Sequence, residues 1–188
     1  AEKSKQLQRF SSFAAGGSVF WLKQDMRKWE LDRQVDAVIS FCDCLNYLLE
    51  PEDVLATFRQ TWQGLRSGGQ FLFDVHTPGQ LRRYAEAQPF VLNEDDIAYI
   101  WTCDFDDERS QIVHELSIFL REQESLGVTK EYFSRIEETH VQRAYDLAWL
   151  RGALIKSGFA TVECVADFRW SAPTDESQRA FFIATKGD

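Results

Sequence analysis

The fold is decided by the stretch from Val35 to Pro78. It begins with Val35-Asp36-Ala37-Val38-Ile39-Ser40-Phe41-Cys42-Asp43 and ends with Phe71-Leu72-Phe73-Asp74-Val75-His76-Thr77-Pro78. Each part is a short apolar run that stops at a polar side chain. Between them, from Pro51 onward, apolar residues recur at helical spacing. Strand, helix and strand in this order predict a right-handed parallel crossover with both faces covered.

Polar side chains recur where the predicted strands end. Asp43 ends the first apolar run, and Asp74 and His76 end the second. Upstream, the run Val19–Met26 repeats the arrangement and brings Asp25 to a third strand end. Because the carboxyl ends of parallel strands line the crevice where ligands bind, this pattern predicts a binding site at that edge.

Two helices are predicted in the first half of the chain. One covers residues 2–15 and stops at Gly16-Gly17. The other begins at Pro51, where proline and acidic residues suit a first turn. It carries Leu65 on its buried face, and we expect Ser67-Gly68-Gly69 to end it.

From Ile97 onward the apolar residues alternate, which predicts strands with one buried face. A turn-like segment, residues 106–110, separates two such runs and indicates an antiparallel hairpin. A third run, Tyr132 to Gln142, is expected to join the hairpin and places Glu138, His140 and Gln142 on one side. We predict an antiparallel insertion at about residues 90–143.

The doubly wound pattern resumes after the insertion. It predicts a helix from about Tyr145 to Lys156 with a stop at Ser157-Gly158. Strands follow near Thr161–Ala166 and Ala180–Thr185. Because no helix separates these two strands, we expect them to pair antiparallel at the end of the sheet.

Composition is that of a globular protein, with 188 residues of which 44% are hydrophobic. No apolar run approaches the roughly 20 residues that span a bilayer, and no signal peptide is recognised, so we predict a cytoplasmic protein without membrane contact. The net charge of -9 disfavours duplex nucleic acid and favours a small or neutral substrate, although a local basic rim for RNA remains open.

The four cysteines do not have the spacing of a zinc site or the density of a disulfide scaffold. Cys42 and Cys44 flank Asp43 with a gap of one residue, which is too short for the usual zinc ligand loop. We therefore interpret all four as reduced thiols and predict no metal site.

Three segments together carry a resemblance to a known family: Gln24–Arg27, Val35–Leu48 and Leu65–Pro78. In this order they resemble class I S-adenosylmethionine-dependent methyltransferases, and more narrowly a bacterial subgroup of small soluble enzymes with an antiparallel insertion. Segments at 137–145, 157–159 and 179–184 fit the same subgroup, so the resemblance covers nearly the whole chain. It implies one α/β domain over residues 1–188 with a doubly wound, mostly parallel, Rossmann-like sheet and an antiparallel last strand.

The resemblance also implies where S-adenosylmethionine binds. Asp25 and Met26 fall where the family recognises adenine, and Phe41, Cys42 and Asp43 fall where the methionine portion and the methyl group lie. The family's glycine-rich loop and ribose-binding acid would precede residue 1, so we expect the first strands to be missing by N-terminal truncation. Because those strands lie between the family's third and fourth, the Val19–Lys23 strand would lack its neighbour.

Methyl transfer depends mainly on alignment of the acceptor with the methyl group and on exclusion of water. An acceptor that carries a proton also needs a base, and Asp43, His76, Glu138 and His140 are the catalytic candidates. We assign Tyr47, Arg143 and Tyr145 to the acceptor. Each polar candidate also has a structural interpretation, as a turn residue, a strand-end hydrogen-bonding group or part of a surface ladder.

The function predicted from the sequence is methyl transfer from S-adenosylmethionine to a small-molecule acceptor. A non-catalytic fragment or interaction module with the same fold is one alternative. A nicotinamide-dependent oxidoreductase is a less favoured one, since doubly wound sheets serve both cofactors. The sequence does not indicate the acceptor atom or the oligomeric state.

Overall fold

A computed structural model describes residues 9–10, 19–122 and 132–188 of the chain. They form one short strand pair, two four-stranded sheets, three α-helices and a 3-10 helix. In chain order the elements are β1 (Arg9–Phe10), β2 (Val19–Phe20), β3 (Val35–Ser40), the 3-10 helix (Cys44–Tyr47), α1 (Pro51–Gly64), β4 (Leu65–His76), α2 (Pro78–Ala87), β5 (Phe90–Asn93), β6 (Ile97–Asp106), β7 (Gln111–Arg121), β8 (Phe133–Arg143), α3 (Leu147–Lys156), β9 (Phe159–Ala166) and β10 (Arg179–Lys186).

The main sheet has the strand order β3-β4-β10-β9. Strands β3 and β4 pair in parallel, as the crossover predicts. Strand β10 pairs antiparallel with both β4 and β9, so three of the four strands point in one direction. The predicted α/β class, with a mostly parallel sheet and an antiparallel last strand, is confirmed.

The core lies between this sheet and helices α1 and α3. Val54 and Phe58 of α1 are fully buried against Phe71 and Phe73 of β4. The Phe73 ring stacks on Phe182 of β10, with the ring centroids 4.8 Å apart. Aromatic area of this kind supplies a large share of the hydrophobic stabilisation.

The prediction that both sheet faces are covered is not met by the described residues. On the face opposite α1 and α3, Ile39 is 62% exposed and Phe41 45% exposed. Phe41 and Phe168 make ring contacts there with Phe181 of β10. This face and the free edge of β3 therefore remain open within the part of the chain that the structure describes.

The predicted end of α1 was wrong. The helix ends at Gly64, and Leu65 already begins β4 opposite Val35. From Val35 to Ala37 the partner residue advances from Leu65 to Gln70, so residues 66–69 form a bulge, with Gly68 at φ 72°. The glycines that resemble a helix stop instead produce this irregularity in the strand.

The N-terminal predictions were partly wrong. Arg9–Phe10 is a strand and not helix, while the other residues of the predicted helix and the Gly16-Gly17 stop lie outside the described residues. The predicted Val19–Lys23 strand is reduced to Val19–Phe20, which pairs with Arg9–Phe10 and not with the main sheet.

The second sheet has the order β5-β6-β7-β8, and all its pairs are antiparallel. Trp101 pairs with Leu116, and Cys103 pairs with His114, as the alternating pattern predicts. The antiparallel insertion is thereby confirmed. Strand β5 was not predicted.

Helix α2 was also not predicted, although Thr77 and Pro78 are a typical helix start. The Thr77 side chain accepts a hydrogen bond from the Gln80 amide at 3.1 Å. Leu81 packs with Cys103, Ile112 and Ala144, which fastens α2 to the second sheet.

The C-terminal half follows the prediction closely. Helix α3 begins at Leu147, two residues later than expected, because Asp146 caps it by accepting from the Trp149 amide. Gly158, at φ 109°, ends it. No described helix is long and apolar enough to cross a membrane.

Candidate functional site

Four side chains meet where β3 and β4 end and β10 begins: Asp43, Asp74, His76 and Arg179. We call them the strand-end cluster. The Arg179 guanidinium is bonded through Nη1 to Asp74, and Nη2 donates to Asp43 at 3.0 Å and to Nε2 of His76 at 2.7 Å. One cation thus joins two carboxylates and an imidazole in a largely buried position.

Arg179 was not predicted as a site residue. It reaches the cluster because β10 runs antiparallel to β4 and starts where β4 stops, so Arg179 pairs with His76. The sequence signal for Arg179 was a charged residue at the start of an antiparallel last strand. The residues that Arg179 contacts, however, depend on the register of that strand.

His76 is neutral in this arrangement. A guanidinium can only donate, so Nε2 of His76 accepts from Arg179 and Nδ1 carries the proton. Burial lowers the pKa of His76, and nearby Asp43, whose Oδ1 lies 3.8 Å from Nε2, only partly opposes that effect. Because Nε2 is already engaged, the structure favours a binding role for His76 over the predicted role as a base.

The Asp43 carboxylate is held in a strained turn. Cys42 and Asp43 both have left-handed backbone angles, with φ 64° and 51°. Such residues cost about 1–3 kcal/mol each and persist where their surroundings hold them. Here the Asp43 amide donates to Asp74 at 3.3 Å, and Gln142 of β8 donates to the Asp43 carboxylate at 2.7 Å.

The insertion is fastened to the main sheet beside this turn. Asn46, fully buried in the 3-10 helix, donates to the carbonyls of Arg143 and His76 and accepts from the His76 amide. Gln142 is equally buried. Neither residue was predicted as part of the site, because both depend on contacts between segments that are almost 100 positions apart in the chain.

A second set of polar groups, the Tyr–His–Glu chain, consists of Tyr47, His140 and Glu138. The Tyr47 hydroxyl lies 3.1 Å from Nδ1 of His140, and Nε2 of His140 lies 3.1 Å from the Glu138 carboxylate. A carboxylate accepts, so Nε2 donates to Glu138 and Nδ1 accepts from Tyr47. Burial and the Asp43 charge raise the pKa of Tyr47, which keeps its phenol protonated.

The Tyr–His–Glu chain has the order that a proton relay requires. Its members are partly exposed, so an acceptor molecule can reach them. Sequence spacing predicts that Glu138 and His140 share a face, and the fold adds Tyr47 from the 3-10 helix.

The structure places Arg143 and Tyr145, predicted to bind the acceptor, in the junction between insertion and core. Arg143 donates to the Leu49 carbonyl at 2.7 Å and lies over the Tyr145 ring. The Tyr145 hydroxyl donates to the Leu48 carbonyl at 2.6 Å, and burial raises its pKa to about 12. These contacts favour a structural role for both.

The predicted adenine-binding residues lie near the free edge of β3. Asp25 receives hydrogen bonds from the Arg27 side chain and amide, which hold the pKa of its carboxyl well below the usual range. Met26 lines a cavity of about 400 Å³ together with Ser40 and Val38. We call it the β3 cavity, and its lining does not include Asp25.

Comparison with known proteins was made for both sequence and structure. No protein-family model matches the sequence. A protein of Geobacillus sp. (strain WCH70) is 34% identical over 169 residues, which cover 90% of this chain and 66% of that protein. YqeM of Bacillus subtilis (strain 168) is 33% identical over 169 residues, which cover 89% of this chain and 66% of that protein. Both names assign methyltransferase activity provisionally, and the chain spans just under two thirds of their length.

A solved structure shows the same fold. It is a crystal structure of an S-adenosylmethionine-dependent methyltransferase from Clostridium acetobutylicum, with a TM-score of 0.76 and 22% identity. The similarity covers 88% of this chain and 63% of that protein. At this identity, the match establishes the architecture of the two sheets.

Proposed function

We propose that the protein is a class I S-adenosylmethionine-dependent methyltransferase and transfers a methyl group from S-adenosylmethionine to a small-molecule acceptor. The observation that carries the proposal is the convergence of the strand-end cluster and the Tyr–His–Glu chain on one edge of the main sheet, under the insertion. Ligand crevices in open α/β sheets lie at this edge.

The described residues partly fit the cofactor. The β3 cavity is of the size that small ligands occupy, and its side chains are mostly apolar, as an adenine ring requires. Asp43 supplies a carboxylate at the strand end for the methionine portion. Within residues 19–122 and 132–188, however, no glycine-rich turn joins a parallel strand to a helix.

When bound, S-adenosylmethionine supplies a methyl group already activated on a sulfonium. The chain's own contribution is to align the acceptor, to exclude water and to remove a proton. Asp43 and the β3 cavity would hold the cofactor, which would give up its methyl group to the acceptor and become a neutral thioether. The acceptor's proton passes to Tyr47, the Tyr47 proton to Nδ1 of His140, and the Nε2 proton to Glu138.

The other predicted residues have supporting roles in this proposal. Asp43, with Phe41 and Cys42, lies on the cofactor side, and Asp25 and Met26 lie on the adenine side. A small acceptor is favoured over nucleic acid because the site carries more carboxylates than cations and the chain has a net charge of -9.

Isothermal titration calorimetry with S-adenosylmethionine, with NADH in parallel, tests the cofactor assignment. Asp43→Asn is expected to weaken S-adenosylmethionine binding at least tenfold, since it removes charge at the cofactor side. The matched control is Asp36→Asn, at the other end of β3, where the aspartate side chain is 69% exposed. Tight NADH binding without S-adenosylmethionine binding would support the oxidoreductase. Binding by YqeM but not by this chain would support the non-catalytic fragment.

A second experiment tests the base. Transfer of tritiated methyl into a bacterial small-molecule extract is expected to fall about 10²-fold in Tyr47→Phe and His140→Gln, because a positioned base contributes about this much. The cofactor dissociation constant should not change. Tyr132→Phe, with a 57% exposed side chain, is the control. Full activity of both variants would exclude the relay.

A further inference from the structure

A second cavity lies at the end of β4, where His76 is part of its lining. It has a volume of about 620 Å³ and opens between the first turns of α2 and residues 167–178, which connect β9 to β10. We call it the β9–β10 cavity. Its lining includes His76, Gln80, Tyr84, Phe168 and Arg179. It therefore shares two residues with the strand-end cluster.

Two buried polar atoms at this cavity have no hydrogen-bond partner among the described residues: Nδ1 of His76 and Oε1 of Gln80. The two residues are only 7% and 9% exposed. Such groups are rare in folded proteins, because a buried polar atom without a partner is destabilising. Both residues also line this cavity, which indicates a place for a ligand.

The chemistry of the two atoms is complementary. Nδ1 of His76 is a donor, because Nε2 accepts from Arg179. Oε1 of Gln80 is an acceptor. A ligand that satisfies both must accept one hydrogen bond and donate another.

Most charged groups around the cavity are already paired. Arg179 is bonded to Asp74 and Asp43. Glu176 pairs with Arg83, and Asp167 accepts from the amides of residues 178 and 179. Arg169 also lines the cavity, but its side chain is exposed and has no ion-pair partner among the described residues. The buried part of the lining therefore presents no unpaired charge to a ligand.

Aromatic rings complete the cavity. Tyr84 packs edge-on against the His76 ring, with centroids 5.5 Å apart. Phe168 is 84% exposed at the mouth, where Asp167 and Phe168 hold left-handed backbone angles. Exposed rings of this kind provide flat apolar surface for a ligand's body.

We propose that the β9–β10 cavity binds a neutral carboxamide or hydroxyl group of a small molecule. Its oxygen accepts from Nδ1 of His76, and its N–H or O–H donates to Oε1 of Gln80. Both atoms are covered in this structure, so the proposed binding requires the Gln80 side chain, which has three rotatable torsions, to turn and admit the ligand. The assignment of this ligand as the methyl acceptor rests on the proposed function, whereas the binding itself does not.

The test uses three probes of nearly equal shape on the nitrogen-15-labelled chain: benzamide, benzoate and benzylamine. In NMR titrations at pH 7.5, benzamide is expected to shift resonances of α2 and residues 167–178 and to bind at least fivefold more tightly than either charged probe. Gln80→Leu should weaken benzamide binding roughly fivefold, the effect of one hydrogen bond. Gln63→Leu, at an exposed position on α1, should leave it unchanged.

The result that overturns the proposal is equal binding of benzoate, or no benzamide shift in these segments up to its solubility limit. The comparison of probes needs no variant, so it stands even if Gln80→Leu folds poorly. No S-adenosylmethionine is present in these titrations. Selective benzamide binding without methyl transfer would therefore refute only the proposed function. Methyl transfer without selective benzamide binding would refute only the proposed ligand site in the β9–β10 cavity.

Discussion

Replacing Arg179 by methionine should destabilise the protein strongly. The Asp74 side chain is only 2% exposed and is bonded to the Arg179 guanidinium, whose other contacts are Asp43 and His76. Removal of one partner from a buried ion pair costs about 3–5 kcal/mol, because the remaining charge is buried without compensation. The Arg179 side chain is 22% exposed, so water relieves part of this cost. We therefore expect the free energy of unfolding to fall by about 3 kcal/mol.

Urea unfolding at pH 7.5 measures this loss, and Arg66→Met is the matched control. Arg66 pairs with Asp36 where the two side chains are 65% and 69% exposed. Exposed pairs contribute about 0–1 kcal/mol, so the control should lose little. The double variant Arg179→Met with Asp74→Asn should regain part of the stability, since it removes the uncompensated charge. Equal losses in the Arg179 and Arg66 variants would refute the reasoning.

Three further predictions concern the site and its support. Gln142→Leu removes a buried hydrogen bond to the Asp43 carboxylate, so S-adenosylmethionine affinity measured by calorimetry should fall about tenfold, and the melting temperature of the cofactor-free chain should fall as well. Burial lowers the pKa of His76 and His114, so below the ordinary imidazole pKa of 6.5 the unfolded chain takes up protons that the folded chain does not. Urea titrations should therefore show that the free energy of unfolding falls as the pH drops below 6.5. Gly158→Ala should lower the free energy of unfolding by more than about 1 kcal/mol in the same assay, because φ is 109° and the added carbon would lie 2.9 Å from the Trp62 ring. Gly152→Ala is its control, since an added carbon there would meet no atom within 4 Å.

Much of the fold was predictable because its signals are local. The apolar run Val35–Phe41, the helical spacing after Pro51 and the alternation from Ile97 each report the period of one element. The antiparallel pairing of the last two strands follows from the absence of a helix between them.

The errors arose where one residue type fits two structures. Ser67-Gly68-Gly69 has the composition of a helix stop, yet α1 ends at Gly64, where an added side chain would meet the Trp29 ring. Trp29 is more than 30 positions away, so no local pattern contains this information. Helix α2, in contrast, was available from Thr77 and Pro78 and was missed.

The site was predictable only in part, for the same reason. Strand ends alone indicated Asp43, Asp74 and His76. Arg179 and Gln142 could not be assigned, since their contacts depend on the register of β10 and on how β8 docks beside the 3-10 helix.

The sequence by itself determined most strands of the two sheets, their order along the chain and the edge at which acidic and imidazole groups gather, because periodicity and strand ends are properties of short segments. Only the tertiary structure decided the charge state and partner of each group. A carboxylate that ends a strand has the same local sequence whether it faces solvent, a guanidinium or a glutamine. Which of these it meets is set by packing between distant segments, and that packing places Arg179 between Asp43 and Asp74.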